Sequence, residues 1–189
     1  MEKILFINAC VRPNSRTLEL ANYVLSKLSG RVEEVKLYNE QLLPINLEEL
    51  QTRDNCAKSN NFTNSAFNYA KQFANAQTIV VAAPYWDLMF PAVLKCYLEK
   101  ITVNGLTFAY GENGIPHGLC KGKRLIYVTT SGGPIIHNFG FDYVSALAKN
   151  FYGIKNVQLV KAEGLDVYGA DVEKIMQQSK GSFIITQYI

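Results

Sequence analysis

Short apolar runs alternate along the chain with segments whose apolar residues recur every three or four positions. Ile4-Leu5-Phe6-Ile7 predicts a strand, and Leu18, Ala21, Leu25 and Leu28 predict a helix that starts at Thr17. Val32 to Leu37 predicts a second strand, ended by Asn39. Residues 40–60 are polar and irregular, with Pro44 and several Asn and Gln, and predict a surface excursion with a short helix near Leu47–Leu50. Phe62, Ala66, Tyr69, Ala70 and Phe73 mark the next helix. Thr78-Ile79-Val80-Val81-Ala82-Ala83, bounded by Pro84, is the strongest strand signal and fits a central strand buried on both faces. Pro91 stands where a first-turn proline belongs, and Leu94, Leu98 and Ile101 continue that helix. Residues 102–122 predict a long loop with glycines at 105, 111, 114, 118 and 122. Leu125 to Thr130 predicts a strand, followed by a helix over 141–152, a strand over 157–160 and a helix over 170–180.

Strands alternating with helices in this way predict an α/β fold, a doubly wound five-stranded parallel sheet with helices on both faces. The strand order 2-1-3-4-5 of flavodoxin-like folds suits the element count. At 189 residues and 48% apolar, the chain predicts one domain spanning 1–189, with no internal repeats. The apolar tail Phe183–Ile189 predicts a terminus packed on something.

Charge and cysteine content narrow the function. A balance of 19 basic and 16 acidic residues, +3, is too mild to argue for nucleic acid, and with no basic run no nucleic-acid partner is expected. Cys10, Cys56, Cys96 and Cys120 are scattered without C-x-x-C, and no histidine sits at metal-ligand spacing, so no metal and no disulfide is expected. The chain enters its first strand without a charged-then-apolar leader, and no apolar run nears ~20 residues. A cytoplasmic protein with no membrane partner is the expectation.

In an open α/β sheet, ligands bind beyond the carboxyl ends of the strands, and three loops belong there. The first, Asn8-Ala9-Cys10-Val11-Arg12-Pro13-Asn14-Ser15-Arg16-Thr17, holds two arginines and two hydroxyls but no glycine. A dinucleotide would need G-x-G-x-x-G here, so the loop points instead to one terminal phosphate, as in FMN. Ser15 is the expected helix cap, leaving the amides of Arg16, Thr17 and Leu18 free at the positive end of the dipole. The competing reading is an ordinary capped turn with solvated arginines. The second loop, Pro84-Tyr85-Trp86-Asp87-Leu88-Met89-Phe90-Pro91, sets three aromatics between two prolines and invites a planar partner, although such residues also cover cores. The third, Thr130-Ser131-Gly132-Gly133-Pro134, lets backbone approach a ligand closely. Each is weak alone; their meeting at one edge carries the argument.

At these residues the chain resembles the FMN-dependent NAD(P)H:quinone and azo-dye reductases of the flavodoxin-like superfamily. The resemblance rests on Pro84-Tyr85-Trp86-Asp87-Leu88, Leu94-Lys95-Cys96-Tyr97, Thr130-Ser131-Gly132-Gly133, and above all Thr107-Phe108-Ala109-Tyr110-Gly111-Glu112-Asn113-Gly114 through Gly118-Leu119. It implies that Ser15, Arg16 and Thr17, with Cys10 and Arg12 beside them, hold the FMN phosphate. It implies that Pro84, Tyr85, Trp86, Asp87 and Leu88 line the isoalloxazine and ribityl chain, and that Thr130, Ser131, Gly132 and Gly133 close the other side. Trp86, Phe108 and Tyr110 would shape a substrate pocket, and His137 or Tyr110 would steady an acceptor oxygen. Ala9 and Cys10 stand where the azoreductase loop offers small hydroxyls, and Tyr85-Trp86-Asp87 replaces Met-Tyr-Asn.

The implied activity is hydride transfer from NADH or NADPH, through flavin N5, to a quinone or azo aromatic acceptor, in a homodimer with ping-pong kinetics. No side chain is then required as nucleophile or strong base. A flavodoxin-type electron carrier and a flavin-binding redox sensor are the alternatives; net positive charge opposes the carrier, which docks by acidic surfaces. A signalling receiver needs acidic residues after the first strand, where this chain has Asn8-Ala9-Cys10.

Overall fold

The computed structural model describes residues 1–184. Its main sheet contains β1 (Lys3–Asn8), β2 (Arg31–Lys36), β3 (Thr78–Ala82), β6 (Arg124–Thr130) and β7 (Asn156–Ala162), all parallel, in the order β2-β1-β3-β6-β7. Counted along the sheet alone, this is the predicted 2-1-3-4-5. Helices α1 (Arg16–Ser26) and α6 (Val172–Gly181) cover one face, and α3 (Asn68–Asn75), α4 (Ala92–Ile101) and α5 (Phe139–Asn150) cover the other.

Period-two alternation builds both cores. Ile4, Phe6, Val80, Ala82, Ile126 and Val128 point to α1 and α6, where Leu20, Ala21, Val24 and Met176 meet them. Leu5, Ile7, Ile79, Val81, Leu125 and Tyr127 point the other way, to Phe67, Phe73, Leu94, Tyr97 and Val144. Every residue of β3 is buried, as its unbroken apolar run predicts.

Three segments depart from the sequence pattern. Residues 40–60 hold a full helix, α2 (Leu47–Lys58), in which no residue is buried. It lacks apolar periodicity because polar contacts hold it: Asn46 Oδ1 accepts from the Glu49 amide at 2.9 Å, and Arg53 donates to the carbonyls of Glu99 and Thr102 at 3.1 and 2.8 Å. The glycine-rich segment contains a hairpin, β4 (Phe108–Tyr110) and β5 (Pro116–Gly118), paired antiparallel. Pro91 is the cap residue, one position before the first turn of α4. Of the apolar tail, Phe183 packs against the α1–α6 core and Ile184 is exposed; the rest lies outside the described residues.

Candidate functional site

The carboxyl ends of β1, β3, β6 and β7 open into one cleft of about 370 Å³, lined by Val11, Arg12, Asn14, Ser15, Arg16, Thr17, Pro84, Tyr85, Trp86, Thr130, Ser131, Gly132, Leu165 and Asp166. The three predicted loops therefore converge. A fourth, the loop after β7, joins them.

The phosphate-sized end is built by the start of α1. Ser15 is the cap, its Oγ accepting from the Leu18 amide at 3.3 Å, so Leu18 is not free as the sequence suggested. The amides of Arg16 and Thr17 have no acceptor within the helix, because the first turn leaves them without one. Arg16 does not stand free: its Nη1 donates to Asp166 Oδ1 at 2.7 Å and to the Leu165 carbonyl at 3.4 Å. Arg12 is exposed and has no carboxylate partner among the described residues. The Thr17 hydroxyl is buried against that of Thr130, 2.6 Å away, which ties the helix start to the end of β6.

The second loop turns on Trp86-Asp87-Leu88-Met89. The Trp86 amide donates to the Met89 carbonyl at 3.1 Å and the Met89 amide returns to Trp86 at 2.8 Å. Asp87 and Leu88 between them both take positive φ, 50° and 67°. Two left-handed residues in succession form a type I′ turn, which favours Asn-Gly and strains a leucine. The Asp87 and Leu88 amides find no acceptor among the described residues. Neighbouring loops brace this one, the Tyr85 amide donating to Thr130 O at 3.1 Å and the Tyr85 hydroxyl to His137 O at 2.8 Å.

Several expected residues lie elsewhere. Cys10 is turned inward, its Sγ 3.9 Å from the Ala82 carbonyl, and burial pushes its thiol up to about 11. Asp87 lines a separate hollow beyond Trp86, with Tyr38 and Phe90, and Leu88 is outside the cleft wall at the turn tip. Gly133 is also outside it, its carbonyl engaged by the Gly164 amide at 3.1 Å and the Ser131 hydroxyl at 2.6 Å. The exposed His137 ring stacks on Phe139, with 5.4 Å between centroids, rather than facing the cleft.

Phe108 and Tyr110 do not meet Trp86 within one chain. They line a different hollow of about 490 Å³ with Arg53, Tyr143, Leu147 and Phe151. The hairpin is fixed there because Gly118 lies against the Tyr152–Gly153 backbone, so closely that a Cβ would overlap it. Sequence reasoning missed Val11, Asn14, Leu165 and Asp166; the rule that ligands meet strand ends, applied to the loop after β7, would have found the last two. Among the described residues, no group of three or more His, Cys, Asp or Glu is placed to hold a metal. Among them too, no helix is long and apolar enough to cross a membrane.

A family model described as flavodoxin-like fold matches residues 2–183, and the chain belongs to that family. Within it, the FMN-dependent NADH:quinone oxidoreductase of Coprothermobacter proteolyticus is 35% identical over 187 residues, covering 92% of each chain. FMN-dependent NADH:quinone oxidoreductase 2 of Clostridium acetobutylicum is 33% identical, covering 95% of this chain and 94% of that one. The crystal structure of an azoreductase from Bacillus anthracis strain Sterne superposes with a TM-score of 0.81 at 26% identity, covering 96% of both chains.

Proposed function

We propose that the cleft holds flavin mononucleotide and that the chain is an FMN-dependent oxidoreductase, passing electrons from NADH or NADPH to a quinone or azo aromatic acceptor. The observation that carries this reading is the meeting of two kinds of surface in one cleft. Free helix-start amides with Arg12 and Arg16 suit a single phosphate. Tyr85 and Trp86, across from the backbone of 130–132, suit a planar ring.

The donor set fits the group. Arg12, Arg16 and the amides of Arg16 and Thr17 would hold the phosphate, with Asn14 and Ser15 alongside. Tyr85 and Trp86 would flank the ring. The acceptor-free amides of Asp87 and Leu88 lie past the cleft wall, and would balance negative charge at the ring's polar edge where the flavin extends beyond Trp86, a role suited to preorganised dipoles. When bound, the flavin supplies hydride acceptance and donation, which no side chain of this chain can. Nicotinamide and acceptor would visit one open face in turn, giving ping-pong kinetics. The relatives named FMN-dependent NADH:quinone oxidoreductases support the cofactor and the donor.

Tyr110 would reach such a face only from a second copy, so a homodimer completes the reading. Tyr110, Ile115, Ile136 and Phe139 are exposed apolar residues available to such a contact. The four free thiols suit a reducing compartment, the cytoplasm.

Purification followed by a visible spectrum tests the proposal. A band at about 450 nm from bound flavin, bleached by NADH and restored by menadione, is the expected result. A colourless protein that takes up no added FMN would remove it.

A further inference from the structure

Asp166 is held at the cleft by its backbone. Its amide donates to the Gly132 carbonyl at 2.8 Å, and the Leu165 amide donates to the Ser131 carbonyl at 3.2 Å. The side chain folds over Gly132, into space that only a glycine leaves, since a Cβ there would land on the carboxylate. From that place Asp166 Oδ1 pairs with Arg16 Nη1 at 2.7 Å. The guanidinium at the start of α1 thus already carries an anion supplied by the chain itself.

Both side chains are open to solvent, 41% and 69% exposed, so the pair is weak and exchangeable. A phosphate arriving at the same helix start would meet two opposing features: a cation it needs and a fixed carboxylate of its own sign. We propose that Asp166 is an internal counter-anion, displaced from Arg16 by the flavin phosphate, and that this exchange sets the affinity of the site for phosphorylated ligands. The proposal rests on the flavin reading above. Asp166 acts through Arg16 and is a positioning residue for ligand entry. The neutral end of a flavin without phosphate leaves the pair intact, so Asp166 has no effect on such a ligand.

The test is a titration of the cofactor-free chain with FMN and, separately, with riboflavin, followed by quenching of flavin fluorescence. Asp166→Asn keeps the shape and the backbone bonds of residue 166, and Asp166→Ser serves as a second variant. Both are expected to bind FMN about fivefold tighter than the native chain while riboflavin affinity stays within about twofold. Unchanged or weaker FMN binding in both variants would overturn the proposal, as would an equal gain for riboflavin. If the native chain binds neither flavin, the cofactor reading falls and this inference with it. If the native chain binds FMN and the variants match it, only this inference falls.

Discussion

The hydroxyls of Thr17 and Thr130 lie 2.6 Å apart and join the first turn of α1 to the last residue of β6. This contact fixes the helix start, with its unpaired amides, against the glycine-rich loop on the other side of the cleft. Thr17 is almost fully buried, so Thr17→Val keeps the volume while leaving the Thr130 hydroxyl without this partner. We expect a loss of about 1 kcal/mol in unfolding free energy, read by urea denaturation, together with weaker FMN retention. Native-like stability in that variant would show that the pair does not brace the cleft.

Leu88 bears a φ of 67°, which a side chain adopts at a cost of about 1 kcal/mol or more. Leu88→Gly is expected to raise the free energy of unfolding by roughly 0.5 kcal/mol, the relief exceeding the added flexibility of the unfolded chain. FMN affinity should fall in the same variant, because the turn that aims the Asp87 and Leu88 amides loosens. A variant that gains stability and keeps full affinity would show that the strain serves no purpose at the cleft.

The phosphate end admits a direct test. Ser15→Ala with Arg16→Ala removes the cap of α1 and one of two cations, and we expect FMN to bind at least about tenfold more weakly, or 1.4 kcal/mol. The cap itself contributes about 1 kcal/mol to folding, so a thermal melt must accompany the titration. Unchanged retention would move the phosphate away from α1.

Alkaline stability reports on the half-buried thiols Cys10 and Cys120. Burial, opposed by the Ser15 hydroxyl and reinforced by the charge of Glu34, raises Cys10 from 9.0 to about 11; burial alone raises Cys120 from 9.0 to about 12. A raised folded value means that the unfolded chain loses these protons first, so stability is full below pH 9 and declines as pH rises through 11 and 12. The urea midpoint should fall across that window, and the fall between pH 9 and 11 should be shallower in Cys10→Ala. Equal slopes would show that Cys10 is not buried as described.

Much of this was legible in the sequence, for identifiable reasons. The central strand followed from the apolar run 78–83, which fits burial on both faces, and the strand order from the element count that flavodoxin-like folds share. The three loops followed from polar, aromatic and glycine-rich residues placed just after strands. Only the start of α2, near Leu47–Leu50, was legible; the rest of the helix shows no pattern because Arg53 and Asn46, rather than an apolar stripe, hold it in place. The Thr107–Leu119 motif, which carried the resemblance most strongly, turns out to be a hairpin specification. Thr107 Oγ1 accepts from the Val103 amide at 2.9 Å, Asn113 Oδ1 accepts from the Ile115 amide at 3.0 Å, and Gly118 packs on the chain after α5. A motif read for chemistry thus places Phe108 and Tyr110 away from the cleft of their own chain. The Arg16–Asp166 pair spans 150 positions, and no local pattern announces such a contact.

The most direct measurement is a crystal structure of the chain grown with FMN. We expect the phosphate within hydrogen-bonding distance of the Arg16 and Thr17 amides and the ring beside Tyr85 and Trp86. FMN bound at any other place, with the 370 Å³ cleft left to solvent, would contradict it.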